Sequence, residues 1–155
     1  MEPVFQVAFT GYGKSARNFH LPLLKLHDGF KLRSVLLPPA STTSVTEKGV
    51  MVVRSLKELL KDDKVDIVII TSPNRFHFKQ AKEALSADKH VVVEKPVAIS
   101  SDEAEKLVQL ADLKQKMLTV YHNRRADSDF LTLKNALNNG MIGDIVELSS
   151  CFNRY

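Results

Sequence analysis

Val4-Phe5-Gln6-Val7-Ala8-Phe9-Thr10-Gly11-Tyr12-Gly13-Lys14-Ser15-Ala16 passes from a short apolar run directly into glycines. The pattern predicts a strand over Val4 to Thr10, a tight turn at Gly11 and a helix from Ser15. Gly11-Tyr12-Gly13-Lys14-Ser15-Ala16 fits the spacing G-x-G-x-x-G/A. In that spacing the first glycine permits the turn and the second lets the backbone approach a pyrophosphate. The small residue at the end lets the helix pack closely on the strand. The helix start offers free N–H groups and a positive dipole end to phosphates. These residues are the first candidate ligand site, and a glycine turn without a ligand is the plain alternative.

Outward from this turn, strand-like and helix-like segments alternate. The helix from Ser15 extends to Leu26, limited or kinked by Pro22. Strands are expected over Phe30 to Leu37 and Val50 to Arg54, and a short helix with a Ser start signal over Ser55 to Leu60. Val65 to Thr71 is nearly all apolar, as for a strand buried on both faces of a parallel sheet. A helix over Phe78 to Ala87 and a buried strand over His90 to Val93 follow. Ser100 and Glu103 form a capping box for a helix reaching about Lys114. A strand over Met117 to Val120 precedes a helix over Asp127 to Asn138, closed by Asn139-Gly140. The alternation predicts an α/β fold with a doubly wound parallel sheet, the Rossmann arrangement.

From Asp144 the residues alternate again, with Val146, Leu148 and Phe152 on one face, and the chain stops inside this expected strand at Tyr155. The expectation is a truncated chain. Residues 1–123 are expected to form the dinucleotide-binding domain, and residues 124–155 a connecting helix and the first strand of a missing second domain; a small protein whose final strand pairs within its own sheet or with a neighbour is the alternative. An uncovered strand edge favours self-association, so a homo-oligomer is expected.

Composition narrows the function classes. The net charge of +4 comes from basic residues mixed with acids, as in Lys61-Asp62-Asp63-Lys64, which describes a solvated surface rather than a nucleic-acid patch. No apolar run reaches the roughly 18–20 residues of a membrane span, and Met1-Glu2-Pro3-Val4 lacks the basic start of a signal peptide. A cytoplasmic location is expected. The single Cys151 excludes an internal disulfide and reads as a small strand residue. No His/Cys/carboxylate cluster predicts a metal, and no G-x-S-x-G or Cys/His set predicts a hydrolase.

Ligands of doubly wound folds sit beyond the carboxyl ends of the strands. Thr71-Ser72-Pro73-Asn74 and Glu94-Lys95-Pro96 are both expected there. Lys95, partly buried with Glu94 beside it, can act in proton transfer or form a strand-end ion pair, and position alone leaves both open. The loop from Pro38 to Thr43 lacks the acid that holds an NAD ribose, while Ser41, Thr42 and Thr43 can donate to a 2′-phosphate. This points to NAD(P) with a lean toward NADP. His122 and Asn123 follow a strand end, and Asn123 is the candidate for an amide or ribose contact. Arg124 and Arg125 are expected to pair with Asp127 or Asp129, while His20, His27 and His90 read as structural.

Gly11-Tyr12-Gly13, Val65 to His77 and Val92-Val93-Glu94-Lys95-Pro96 closely resemble the Gfo/Idh/MocA oxidoreductases, the glucose–fructose oxidoreductase and inositol 2-dehydrogenase family. Tyr121 to Phe130 and Gly140 to Asp144 resemble that family's passage into its second domain. The resemblance implies an NAD(P)-dependent enzyme acting on sugars, inositols or related polyols. It implies that Lys95 lies near the nicotinamide and the reacting hydroxyl, that Glu94 and Pro96 shape the cofactor site, and that His77 lies near the nicotinamide. It places further acid–base residues in a C-terminal domain, so this chain alone is expected to be inactive. A non-catalytic nucleotide-sensing or interaction module of the same fold is the alternative.

Overall fold

The structure is a computed structural model that describes residues 4–151 and 153. The chain divides into two compact units, Met1–Tyr121 and His122–Tyr155.

The first unit is built on a sheet of β1 (Phe5–Phe9), β2 (Phe30–Leu36), β3 (Met51–Val53), β4 (Ile67–Ile70), β5 (His90–Glu94) and β6 (Leu118–Tyr121). Every pairing is parallel and the order is β3-β2-β1-β4-β5-β6, so the winding reverses between β1 and β4. The expected doubly wound sheet is therefore present. In β4 all side chains are buried: Ile67 and Ile69 enter one core layer, Val68 and Ile70 the other. Successive side chains of a strand point to opposite faces, so a strand covered on both sides must be apolar throughout.

The helices supply those covers. α2 (Leu56–Lys61), α3 (His77–Ser86) and α4 (Ser101–Lys114) bury Leu59, Ala81, Ala84, Leu85, Leu107 and Ala111 with Val68, Ile70, Val91 and Val93. The opposite layer packs Val7, Phe9, Tyr12, Ala16, Leu21 and Val35 against Ile67 and Ile69. Ser100 Oγ accepts from Glu103 N–H at 3.2 Å, as the capping box predicts. The Glu103 carboxylate reaches back to the N–H of Ile99 at 3.1 Å, one residue before the cap. Ser55 and Glu58 repeat the device, with Glu58 accepting from Arg54 N–H at 2.9 Å.

The helix after the glycines departs from a plain α-helix. A π turn at Ala16–His20 precedes α1 (Leu21–Leu26). Pro22 explains the departure: it lacks an N–H, and its ring clashes with the carbonyl four residues back. The wider turn relieves both demands, with Leu21 N–H bonding to Ala16 O.

The second unit contains a 3-10 turn at Asn123–Ala126 and α5 (Ser128–Asn138). Arg124 pairs with Asp127 at 2.6 Å. Gly140 turns the chain at φ +66°, with Met141 N–H returning to Ala136 O at 2.9 Å. The strand expected from Asp144 is not formed: residues 144–151 carry no strand, and Val146, Leu148 and Cys151 are exposed. Alternation prepares a segment for a ladder but does not provide the neighbouring strand that makes one. Phe152, assigned to the same face, lies outside the described residues.

Leu85 joins α3 to the core beneath β4 and β5 with no exposed surface. Leu85→Ala is expected to lower the unfolding free energy by about 2–5 kcal/mol, measured by urea denaturation.

Candidate functional site

The turns after β1, β4 and β5 lie at the carboxyl ends of neighbouring strands, and polar side chains tie them together. Thr71 Oγ1 donates to Gly11 O at 3.1 Å, joining the glycine turn to the end of β4. A Cβ on Gly11 would meet Thr71 O at 3.2 Å, so only glycine permits this approach without displacement. Gly13 differs: nothing lies within 4 Å of the Cβ position, and the space it faces is open.

Ser15 does not cap its own helix; its hydroxyl donates to the Glu94 carboxylate instead. The same Glu94 oxygen lies 2.9 Å from His20 Nε2. His20, expected to be merely structural, is buried and packs its ring 4.2 Å from that of Tyr121. Burial pulls the His20 imidazole below its ordinary 6.5, partly opposed by Glu94. Burial and the same carboxylate push the Tyr121 hydroxyl up. The sequence carried no spacing signal for this cluster, because the π turn that seats His20 breaks the helical period.

Glu94 and Lys95 do not form the strand-end ion pair. Consecutive residues leaving a strand face opposite sides; Glu94 turns to Ser15 and His20, while Lys95 is exposed and has no ion-pair partner among the described residues. The expected partial burial of Lys95 is not observed. The Lys95-Pro96 peptide is cis.

His77 is the first residue of α3. Its side chain is fully buried, with Nδ1 2.7 Å from Pro96 O and Nε2 2.8 Å from Ser72 O. Both ring nitrogens lie within hydrogen-bond distance of main-chain carbonyls. The imidazole bridges the turns after β4 and β5. Ser72 Oγ also donates to Gln80 at 2.7 Å. Pro73 and Asn74 are exposed at the start of the 3-10 turn Asn74–Phe76.

Tyr12 also turns inward: its ring joins the core and its hydroxyl donates to Glu47, which Lys25 meets at 3.1 Å. Burial and Glu47 push the Tyr12 hydroxyl up to about 12. Its side chain thus closes the turn from below, leaving only backbone at this position for a ligand. Lys14 is exposed and Ala16 is buried against the sheet.

A hollow of about 650 Å³ opens beside the glycine turn, lined by Gly11, Gly13, Leu36, Pro38, Arg54, Thr71, Ser72, Pro73 and Phe76 among others. Ser41 and Thr42 are not part of its lining; Ser41 Oγ accepts from Thr43 N–H at 3.2 Å within its own loop. Asn123 begins the 3-10 turn of the second unit. Among the described residues no cluster of His, Cys, Asp and Glu forms a metal site, and no helix is long and apolar enough to cross a membrane.

A parallel sheet ordered 3-2-1-4-5-6, with a glycine turn at the reversal and a hollow beside it, defines an NAD-binding Rossmann domain. The chain belongs to the GFO_IDH_MocA oxidoreductase family, whose NAD-binding Rossmann fold matches residues 5–122. The oxidoreductase YdgJ of Escherichia coli K12, itself uncharacterized, is 38% identical over 155 residues, covering 100% of this chain and 45% of that protein. The scyllo-inositol 2-dehydrogenase (NADP(+)) IolW of Bacillus subtilis is 36% identical over 150 residues, covering 97% of this chain and 42% of that protein. The scyllo-inositol dehydrogenase of Lactobacillus casei, solved with NAD(H) and scyllo-inositol, superposes with a TM-score of 0.80 at 25% identity, over 91% of this chain and 43% of that chain. The chain thus spans less than half the length of these relatives.

His20 provides a pH test of the cluster. Its lowered affinity for protons means that the unfolded chain binds more protons near and below 6.5, so its stabilisation is present above that value and is lost as pH falls. Unfolding free energy measured in urea is expected to fall between about pH 7.5 and about pH 5.5, and His20→Gln is expected to reduce that fall.

Proposed function

We propose that the complete protein transfers hydride between a nicotinamide dinucleotide, with NADP favoured, and a sugar, inositol or related polyol. The observation that carries this reading is Lys95: an exposed side chain without an ion-pair partner among the described residues, directly after β5, while its neighbour Glu94 is held by Ser15 and His20. IolW and the Lactobacillus casei enzyme, whose names give scyllo-inositol as substrate, support the substrate class.

The residues fit a dinucleotide. Gly13 leaves open space where a side chain would obstruct a pyrophosphate, and no side chain caps the helix start that faces it. Gly11 to Ala16 form the phosphate turn, with Lys14 and the main chain of Tyr12 and Ser15 at its rim. Thr71, Ser72, Pro73 and Asn74 form the neighbouring wall, and Glu94 and Pro96 shape the far side. When bound, the nicotinamide supplies the hydride acceptor or donor at its C4.

In the oxidation direction Lys95 Nζ would have to accept the hydroxyl proton as the neutral amine while the C–H bond gives up its hydride, and in reduction its ammonium would return that proton to the carbonyl oxygen. Glu94 fixes the glycine turn against β5, and His77 holds the Ser72 and Pro96 turns at a set separation, so the lysine backbone has a defined position. The missing acid between Pro38 and Thr43 supports NADP, as does the cofactor in IolW's name. On this reading residues 1–155 bind the dinucleotide without turning over an alcohol, because the reacting carbon also needs a wall that fixes it near the nicotinamide.

Two substitutions test the reading. Gly13→Val is expected to keep the fold, because the added side chain enters open space, and to abolish most dinucleotide affinity. Calorimetry beside circular dichroism measures both, and unchanged binding by folded protein removes the glycine turn from the site. In the full-length protein Lys95→Met is expected to lower turnover by about 10²–10⁴-fold while sparing cofactor binding. Near-normal turnover returns Lys95 to a surface role.

A further inference from the structure

The hollow beside the glycine turn contains a guanidinium that the sequence pattern did not single out. Arg54 directly follows β3, is exposed, and lines the hollow together with Gly11 and Gly13. Its Nη1 donates to Pro38 O at 3.2 Å. That bond holds the guanidinium just past the end of β2, where an NAD-type site places the acid that binds the ribose hydroxyls. An arginine has five N–H donors, so the bond to Pro38 leaves others for a second acceptor. No carboxylate forms an ion pair with Arg54 among the described residues.

The nearby acids have other partners. Glu47 is the sole acid between Pro38 and Val50, and it is engaged by Tyr12 and Lys25. Glu58 accepts from the main-chain N–H of Arg54 at 2.9 Å in the cap of α2. The three hydroxyl residues first expected to meet a phosphate, Ser41, Thr42 and Thr43, do not line the hollow. The ribose end of the site thus combines a cation anchored at one nitrogen with no free carboxylate.

We infer that Arg54 is the residue that selects a 2′-phosphate on the adenosine ribose, a role that rests on the NADP reading above. A planar guanidinium meets a phosphate with paired, charge-assisted hydrogen bonds, which a hydroxyl or an ammonium does not match. The specificity determinant comes from β3, not from the loop that follows β2. A one-sequence search for an acid or arginine in that loop therefore misses it.

The test titrates the full-length protein and its Arg54→Ala and Arg54→Lys variants with NADPH, NADH, 2′,5′-ADP and 5′-AMP. Wild-type protein is expected to bind NADPH over NADH and 2′,5′-ADP over 5′-AMP. Arg54→Ala is expected to weaken NADPH and 2′,5′-ADP by about 10- to 100-fold, the loss typical of a charge-assisted pair, and to change NADH and 5′-AMP by less than about twofold. Arg54→Lys is expected to fall between, keeping charge without the paired geometry. Arg54 is exposed, so the variants should melt with the wild type. A wild-type NADPH preference that survives Arg54→Ala overturns the inference and leaves the NADP reading standing. An equal loss for all four ligands also overturns it, since Arg54 then serves the adenine or the fold. A wild-type protein without an NADPH preference overturns the NADP reading and the inference together.

Discussion

Where β1 and β4 run side by side, the chain comes too close to itself for a side chain. The Cβ position of Gly11 lies 3.2 Å from Thr71 O, and Thr71 Oγ1 donates back to Gly11 O at 3.1 Å. This approach falls at the reversal of winding, where the connection after β1 leaves toward β2 and that after β4 leaves toward β5. Divergent connections open a crevice above the strands. The glycine brings the two strand ends close enough for the hydroxyl to lock them, and the hollow lined by Gly13, Pro38 and Arg54 opens beside that lock.

Further links hold the remaining turns to this point. Ser15 ties the glycine turn to Glu94 at the end of β5, and the His77 imidazole ties the Ser72 turn to Pro96. These side chains are buried or half-buried, where hydrogen bonds are electrostatically stronger than in water and unpaired groups are costly. Binding groups held on such turns need little reordering when a ligand arrives. Lys95, exposed between Glu94 and Pro96, has its backbone fixed on both sides while its side chain has no ion-pair partner among the described residues.

The sheet was legible because burial on both faces leaves a simple trace. Val65 to Thr71 and His90 to Val93 have few polar residues to confuse the period, and the observed β4 and β5 fall within or beside those bounds. The cap at Ser100 was legible because capping is local chemistry. The glycine turn was legible for the same reason. What failed depended on distant contacts. Nothing in the neighbours of His77 announces that carbonyls of Ser72 and Pro96 will enclose its ring, and nothing near Tyr12 announces Glu47, 35 residues on. Arg54 was missed because a short third strand brings it to the hollow. The alternation after Asp144 was read as a strand although the pairing partner was outside any local signal.

The π turn before Pro22 also sets how this helix aligns with others. A turn closed from Leu21 to Ala16 spans one residue more than an α turn, and each residue of an α-helix advances by roughly 100° around the axis. Removing one residue between Ala16 and His20 would take away the extra residue of the wide turn and return the clash at Pro22, and it would rotate everything after the deletion relative to the glycine turn. Leu21 would then leave the core layer it shares with Phe9, or Ser15 would lose its line to Glu94. Length in this segment is therefore more tightly constrained than residue identity. A homologous chain with a plain α-helix here must show a one-residue gap and a different partner for the acid at the end of β5.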